Sequence, residues 1–118
     1  MKLNYDCVRD VLLFLEENLS NKPLKIRNIA HYFENKYSFD EVVYVFQKLT
    51  EVKFIKILTP VCTHRSVVKE ITFSGHQFLE KIKPISTWNK IKNIALEAGV
   101  LTFSSILDIV KTVVGAKA

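Results

Sequence analysis

The side chains that suggest a chemistry are basic, and they are concentrated in the middle of the chain. Residues 53–92 carry eight Lys or Arg against two Asp or Glu, whereas residues 1–52 carry seven against eight. A local excess of positive charge attracts phosphate groups, and it attracts an acidic protein surface equally well. A charged stretch can also be an ordinary solvated surface. The candidates for phosphate contact are His64, Arg65 and Lys69, with Lys53 and Lys56 before them and Lys81 and Lys83 after them.

Metal binding and catalysis have less support in the sequence. Cys62 and His64 are two residues apart, but a zinc site needs two more such ligands and only Cys7 remains. The chain has no His-Glu-x-x-His motif, phosphate-binding glycine loop or Gly-x-Ser-x-Gly motif. His76 follows Gly75 near a predicted helix start, where its ring could bond to a backbone carbonyl. We therefore expect no enzyme activity, no metal and no cofactor, and a structural role for Gly75 and His76.

One amphipathic helix is predicted just before the basic residues. Residues 38–41 have the Ser-x-x-Glu form of a capping box, which satisfies backbone donors at a helix start. Tyr44, Gln47 and Lys48 fall on its outer face and could contact DNA, whereas the two acids of the first turn would repel phosphates. Apolar side chains recur at helical spacing on the other face. That predicted buried face consists of Phe39, Val42, Val43, Phe46 and Leu49.

A short β-hairpin is predicted after this helix. Residues 54–58 and 67–73 are rich in β-branched and aromatic side chains, which favour strands. The polar residues 63–66 between them are predicted to form the turn. Pro60 cannot donate a hydrogen bond to a strand ladder, so the first strand is expected at a sheet edge or bulged near that point.

The order of elements predicts a mostly α fold with a small β-hairpin, of the winged helix-turn-helix type, in which the hairpin is the wing. Two helices, at about residues 4–19 and 26–33, precede the capped helix, and Leu24 between them could add a bridging strand residue. Ser74 is the predicted cap of a fourth helix, which Pro84 ends. A further apolar stripe consists of Ile85, Trp88, Ile91, Ala95 and Ala98, with Gly99 as a C-terminal cap.

We expect a single domain over residues 1–118, with a winged-helix core at 1–83 and a C-terminal helical extension at 84–118. The last helix, from Phe103 to Val114, is apolar over a broad face. It is expected to cover the core of its own domain or to pack against its copy in a homodimer. No apolar stretch is long enough to span a membrane, no secretory signal precedes the fold, and two cysteines suggest no disulfide framework. A cytoplasmic protein is therefore predicted.

Several short motifs are shared with a known family. They are Thr72, the Ser-Gly-His-Gln-Phe-Leu of residues 74–79, the Trp-Asn-Lys of residues 88–90, residues 40–44 and Leu49. In these motifs the chain resembles the DUF2513-like proteins, a bacterial and phage domain of unknown function. That family usually has a glycine after the capped helix, where this chain has residues 52–54 without one, and a Trp in place of Phe73. The resemblance implies a winged-helix-like fold in a phage or prophage setting, and it implies no activity. Trp88, which belongs to the apolar stripe of the helical extension, is expected to be structural.

Two functions from different classes fit these features. The first is nucleic-acid binding led by the wing, mostly electrostatic and weakly sequence-specific, with double-stranded DNA as the partner. The second is a protein-interaction adaptor or inhibitor that acts on a host or phage protein through the acidic third helix and the basic wing. Loss of DNA binding on charge reversal of Arg65 and Lys69 would favour the first. Dependence of a protein complex on Tyr44 would favour the second.

Overall fold

The computed structural model describes the backbone of residues 2–97 and 103–115 and the side chains of residues 2–97 and 105–112. Helices predominate in this part of the chain, and one small antiparallel sheet accompanies them, so the predicted α+β class is confirmed. None of the helices described there is long and apolar enough to cross a membrane. The elements are α1 Tyr5–Asn18, β1 Leu24–Lys25, α2 Ile26–Tyr32, α3 Phe39–Glu51, β2 Ile55–Ile57, β3 Val67–Ile71, α4 Phe73–Ile82, α5 Ile85–Glu97 and α6 Phe103–Gly115.

Side-chain caps join the starts of α1 and α3. The Asn4 Oδ1 accepts a hydrogen bond from the Cys7 N–H at 3.2 Å, which caps α1. The predicted capping box of α3 is confirmed, because the Ser38 hydroxyl accepts from the Glu41 N–H and the Glu41 carboxylate accepts from the Ser38 N–H. The second Glu41 oxygen accepts from the Asn4 side chain at 2.9 Å. This hydrogen bond from Asn4, together with that from Ser38, holds the pKa of Glu41 below its ordinary value.

The sheet has the strand order β1-β3-β2, and both pairs are antiparallel. Strand β2 is therefore an edge strand, as Pro60 predicts, and it ends at Ile57 before reaching that proline. Strand β1 lies on the other side of β3, with Leu24 opposite Val68 and Lys25 opposite Val67. The predicted bridging residue Leu24 thus starts a two-residue strand.

A β-bulge interrupts β3 at Lys69. Lys56 lies opposite Glu70 and Ile57 opposite Val68, so Lys69 has no counterpart on β2. The extra residue shifts the alternation of faces, and Val68 and Ile71 are both buried although they are three residues apart. The bulge therefore belongs to the second hairpin strand rather than to the chain near Pro60, and it leaves Lys69 exposed.

The core consists of buried side chains from all six helices, α1 through α6, and from β2 and β3 of the sheet. On α3 the inner face includes Val45, which was not predicted to lie there. Phe39 is 45% exposed, and Val43 is only partly buried. The prediction for Phe39 was wrong because its ring lies edge-on against His64 at the helix start. The largest fully buried side chains include Trp88, Phe46, Leu12, Leu15, Ile26, Ile29, Leu49 and Leu79.

The start of α4 differs from the prediction. The N-cap is Thr72 rather than Ser74, and the Thr72 hydroxyl oxygen accepts a hydrogen bond from the Gly75 N–H at 3.1 Å. Phe73 is consequently the first helical residue and is 78% exposed, instead of ending the strand. Gly75 is required at its position, because a Cβ there would overlap the Phe54 carbonyl oxygen. The predicted structural role of Gly75 thus has a steric cause.

The C-terminal helices pack on the core through one face each. On α5, Trp88 is buried as expected, but Ile85 is 56% exposed at the helix start and does not continue the apolar stripe. On α6, Ile106 and Val110 are buried, so this helix covers the core of its own domain. The predicted residues Ala98 and Gly99 lie outside the described residues, as do the side chains of Phe103, Val113 and Val114. The homodimer through this helix stays a prediction.

One carboxylate attaches α5 to α1. The Trp88 indole N–H and the Lys92 ammonium both donate to the Asp6 Oδ1, at 2.9 and 2.7 Å. Partial burial alone would raise the pKa of Asp6, but the hydrogen bonds from Lys92 and Trp88 and the charges of Lys92 and Lys36 outweigh it and lower that pKa. Asp6 is thus stabilised in its charged form by the folded chain.

We expect Asp6→Asn to lower stability at neutral pH and to matter less in acid. A carboxyl whose folded pKa is depressed contributes stability above its unfolded pKa of about 3.9, and that contribution is lost as the pH falls through the folded value. Urea unfolding of both proteins at pH 7 and at pH 3 measures this difference. The stability gap should shrink at pH 3, and a gap of equal size at both values would contradict the assignment.

Candidate nucleic-acid interface

The loop of the hairpin, residues 58–66, is organised around one buried hydroxyl. The Ser66 Oγ accepts a hydrogen bond from the Thr63 N–H at 2.9 Å, donates to the Val61 carbonyl at 3.1 Å and lies 2.7 Å from the Thr59 Oγ1. The Ser66 N–H donates to the Thr63 carbonyl at 3.0 Å and closes the predicted turn. The loop therefore has a defined shape, and this shape carries His64 and Arg65 at its tip.

This hairpin loop packs against α3. The ring centroids of Phe39 and His64 are 5.9 Å apart in an edge-on arrangement, and the Gln47 side-chain amide donates to the Cys62 carbonyl at 3.3 Å. Two predicted contact residues, His64 and Gln47, are thus brought to the same junction, and both remain exposed. Gln47 therefore holds the loop through this hydrogen bond and is also exposed to solvent.

The cations of the hairpin divide into paired and unpaired side chains. Lys56 forms an ion pair with Glu70 at 3.4 Å across the strands. Lys53, Arg65 and Lys69 are exposed, and within the described residues none of them forms an ion pair. These three side chains are therefore available to an external anion.

Two acids share a shallow cleft with Lys69, but both are already engaged. The cleft lies between the end of α1 and the junction of β3 with α4, and Glu16, Glu70 and His76 also line it. Glu16 pairs with Lys83 at 2.7 Å, and Glu70 pairs with Lys56. The charge of Lys69 is consequently not cancelled by its neighbours.

The outer face of α3 carries less free charge than the sequence suggested. Lys48 pairs with Glu51 at 3.0 Å, and its ammonium lies 5.3 Å from the centre of the Tyr44 ring. Of the two first-turn acids, Asp40 is exposed, whereas Glu41 is partly buried and turned towards Asn4, where its hydrogen bonds hold it in its charged form. Lys48 is thus less available for DNA than the hairpin cations are.

The sheet also brings Lys25 to this surface, although Lys25 was not among the residues predicted from the sequence. Lys25 lies opposite Val67, which stands between Arg65 and Lys69 in the chain. The only signal for this was Leu24 as a bridging strand residue, and a single predicted residue does not fix a register.

The three residues predicted to be structural have different surroundings. Trp88 is buried with its N–H bonded to Asp6, and Gly75 lies against Phe54. The His76 side chain is exposed, and within the described part of the chain no hydrogen bond involves its ring. Its backbone N–H donates to the Thr72 carbonyl at 2.9 Å, as part of α4. The predicted hydrogen bond from the His76 ring to a backbone carbonyl at the hairpin base is therefore not observed among the described residues.

Neither cysteine has the properties of an activated thiol. Burial raises the pKa of Cys7 to about 12 and also raises the pKa of Cys62, and both thiols are free. Among residues 2–97 and 103–115, no group of three or more His, Cys, Asp or Glu side chains is placed to hold a metal ion.

Comparison with known proteins identifies a family. The family model described as "Hypothetical protein (DUF2513)" matches residues 2–101. The chain belongs to the DUF2513 family. The match includes α1 through α5 and ends before α6, and it includes the whole of the surface described above. No curated protein and no solved structure matches the chain.

The end of α3 explains how this DUF2513 chain turns without the glycine that the resemblance led us to expect. Lys53 adopts a left-handed conformation with φ 63°. Its N–H donates to the Thr50 carbonyl at 3.0 Å, and the Phe54 N–H donates to the Leu49 carbonyl at 2.9 Å. This pair of bonds is a Schellman motif, in which glycine is the usual residue at the left-handed position. Lys53 therefore occupies a backbone conformation that disfavours its side chain.

We expect Lys53→Gly to raise the free energy of unfolding by roughly 0.5–1 kcal/mol, because glycine removes the left-handed penalty but adds freedom to the unfolded chain. Lys53→Ala is the matched control, since it removes the charge and keeps the penalty. Urea denaturation of the three proteins measures the difference. Equal gains in both variants would attribute the effect to charge rather than to the backbone.

Proposed function

We propose that this DUF2513 protein is a non-enzymatic winged-helix module that binds double-stranded DNA, with the hairpin as its wing. The element order supports this assignment, because three helices precede the hairpin and β1 pairs with its second strand. The two free cysteines suit a reducing cytoplasm, and we place the protein there, in a bacterial or phage setting.

The observation that carries this proposal is a group of unpaired cations at the hairpin. Lys53, Arg65 and Lys69 face solvent without an ion pair among the described residues. Free lysine and arginine side chains bind the DNA backbone by displacing its condensed counterions. Contacts of this kind give affinity for any sequence, so we propose weakly specific binding.

The third helix has a secondary part in this proposal. Its accessible polar side chains are Tyr44 and Gln47, and Lys48 is shared with Glu51. Because Gln47 also holds the hairpin loop through the Cys62 carbonyl, α3 positions the wing as well as offering side chains of its own.

We expect the double charge reversal Arg65→Glu with Lys69→Glu to abolish binding to a labelled generic duplex. The wild-type protein should bind at low salt, and its affinity should fall linearly on a log-log salt plot, with a slope of about −0.9 per phosphate contacted. Fluorescence anisotropy across a salt series measures both quantities.

The matched control for this prediction is Lys90→Glu with Lys111→Glu, which changes the net charge equally on α5 and α6. Both of these lysines are exposed, and within the described residues neither forms an ion pair. The control should retain most of the affinity. Absence of wild-type binding at low salt would refute the DNA proposal.

A second candidate function is a protein-interaction adaptor or inhibitor that acts on a host or phage protein. It is favoured by the outer face of α3, where Asp40 is exposed without an ion pair among the described residues and Tyr44 is partly accessible beside it. An aromatic side chain next to a free acid suits a partner with an apolar pocket and a basic rim.

For the adaptor we expect Tyr44→Ala to weaken a purified complex about tenfold or more, since aromatic anchors dominate most interfaces. The partner is first isolated from host lysate and purified, and calorimetry then compares the wild type with Tyr44→Ala and with Gln77→Ala, an exposed control on α4. Equal affinities for all three proteins would exclude α3 as the interface.

A further inference from the structure

Beside the hairpin, a second pair of cations lies on β1 and at the beginning of α2. Lys25 is the last residue of β1, and Arg27 is the second residue of α2. Both side chains are exposed, and the ion pairs of the described residues involve neither of them. The cationic surface therefore does not end at the hairpin.

Strand register places Lys25 next to the hairpin cations. Leu24 pairs with the fully buried Val68, so Lys25 and its partner Val67 are on the outer face of the sheet. Arg65, in the loop just before β3, and Lys69, at the bulge, each stand two residues along the chain from Val67, the partner of Lys25. Lys25 therefore lies beside the segment that carries the hairpin cations.

The pairing of the two segments continues beyond the strands. The Ile26 N–H donates to the Ser66 carbonyl at 3.1 Å, which fixes the start of α2 against the hairpin loop. Arg27 follows Ile26 in the chain and Arg65 precedes Ser66, so this bond brings the two arginine-bearing segments together. Ser66 is fully buried at this junction.

Arg27 is also linked to the hairpin tip across a cleft. Arg27 and Asn28 line the space between α2 and the start of α3, and Phe39 forms its other wall. The Phe39 ring in turn contacts His64 at the tip. Glu34 also lines this cleft, and its carboxylate lies 3.0 Å from the His31 Nδ1.

We infer that Lys25 and Arg27 form a second phosphate-binding arm for the duplex that the hairpin binds. The DNA backbone then crosses β1 and the start of α2 as well as the hairpin, and Lys25 stands between the two arms. This inference rests on the proposed DNA binding and enlarges its surface. The partner is a polyanion, because its phosphates can pair with four cations that have no ion-pair partner among the described residues. These cations are Lys25, Arg27, Arg65 and Lys69.

The test is the salt dependence of duplex binding by Lys25→Met with Arg27→Met. Methionine keeps an unbranched apolar side chain and removes the charge. Two lost phosphate contacts should reduce the magnitude of the log-log salt slope by about 1.8, and each single substitution should reduce it by about 0.9. The control Lys90→Met with Lys111→Met removes the same charge from α5 and α6 and should leave the slope unchanged.

The outcomes separate this inference from the proposed function. If the wild type binds and Arg65→Glu with Lys69→Glu abolishes binding, but the Lys25 and Arg27 variants keep the wild-type slope, the second arm is overturned and the hairpin remains. An equal slope change in the Lys90 and Lys111 control would also overturn it, because net charge alone would then explain the effect. Absence of wild-type binding at low salt overturns both. Thermal unfolding of each variant verifies folding, and the single substitutions decide the question if the double variant is unstable.

Discussion

The fold depends on the close approach between the end of α3 and the start of α4. The Thr72 N–H donates to the Phe54 carbonyl at 2.9 Å, and the Thr72 hydroxyl donates to the Lys53 carbonyl at 2.7 Å. Only a residue without a side chain fits at Gly75, which lies against the same carbonyl group of Phe54. Both ends of the hairpin are thus held at one place, and the hairpin cannot move independently of the helices that flank it.

The same packing determines which charged side chains are bonded within the protein and which remain exposed. Acids on α1 and α3 form hydrogen bonds within the protein. Asp6 accepts from Trp88 and Lys92, and Glu41 caps its own helix. These hydrogen bonds hold both carboxylates in their charged form and fix their positions in the fold. Near the sheet, Lys25, Lys53, Arg65 and Lys69 are exposed, and among the described residues none of them forms an ion pair. Position in the fold, more than the number of charges, gives this surface its sign.

Local signals in the sequence predicted most elements, whereas contacts between elements were missed. The capping box at Ser38 and the turn ending at Ser66 depend on neighbouring residues, and both were predicted correctly. The cap at Thr72 was missed because Ser74 is chemically equivalent and only the approach of Phe54 decides between them. The bulge at Lys69 and the position of Lys25 depend on strand register, which a two-residue strand specifies poorly without its partner.

Strand β2 has a consequence for the behaviour of the protein at high concentration. An edge strand exposes unpaired backbone groups that can recruit a strand from another molecule. Here the edge is three residues long, a lysine occupies its centre, and Pro60 follows soon after it. A short, charged edge of this kind offers too few hydrogen bonds to template sheet growth, which protects the folded protein from aggregation through its own hairpin.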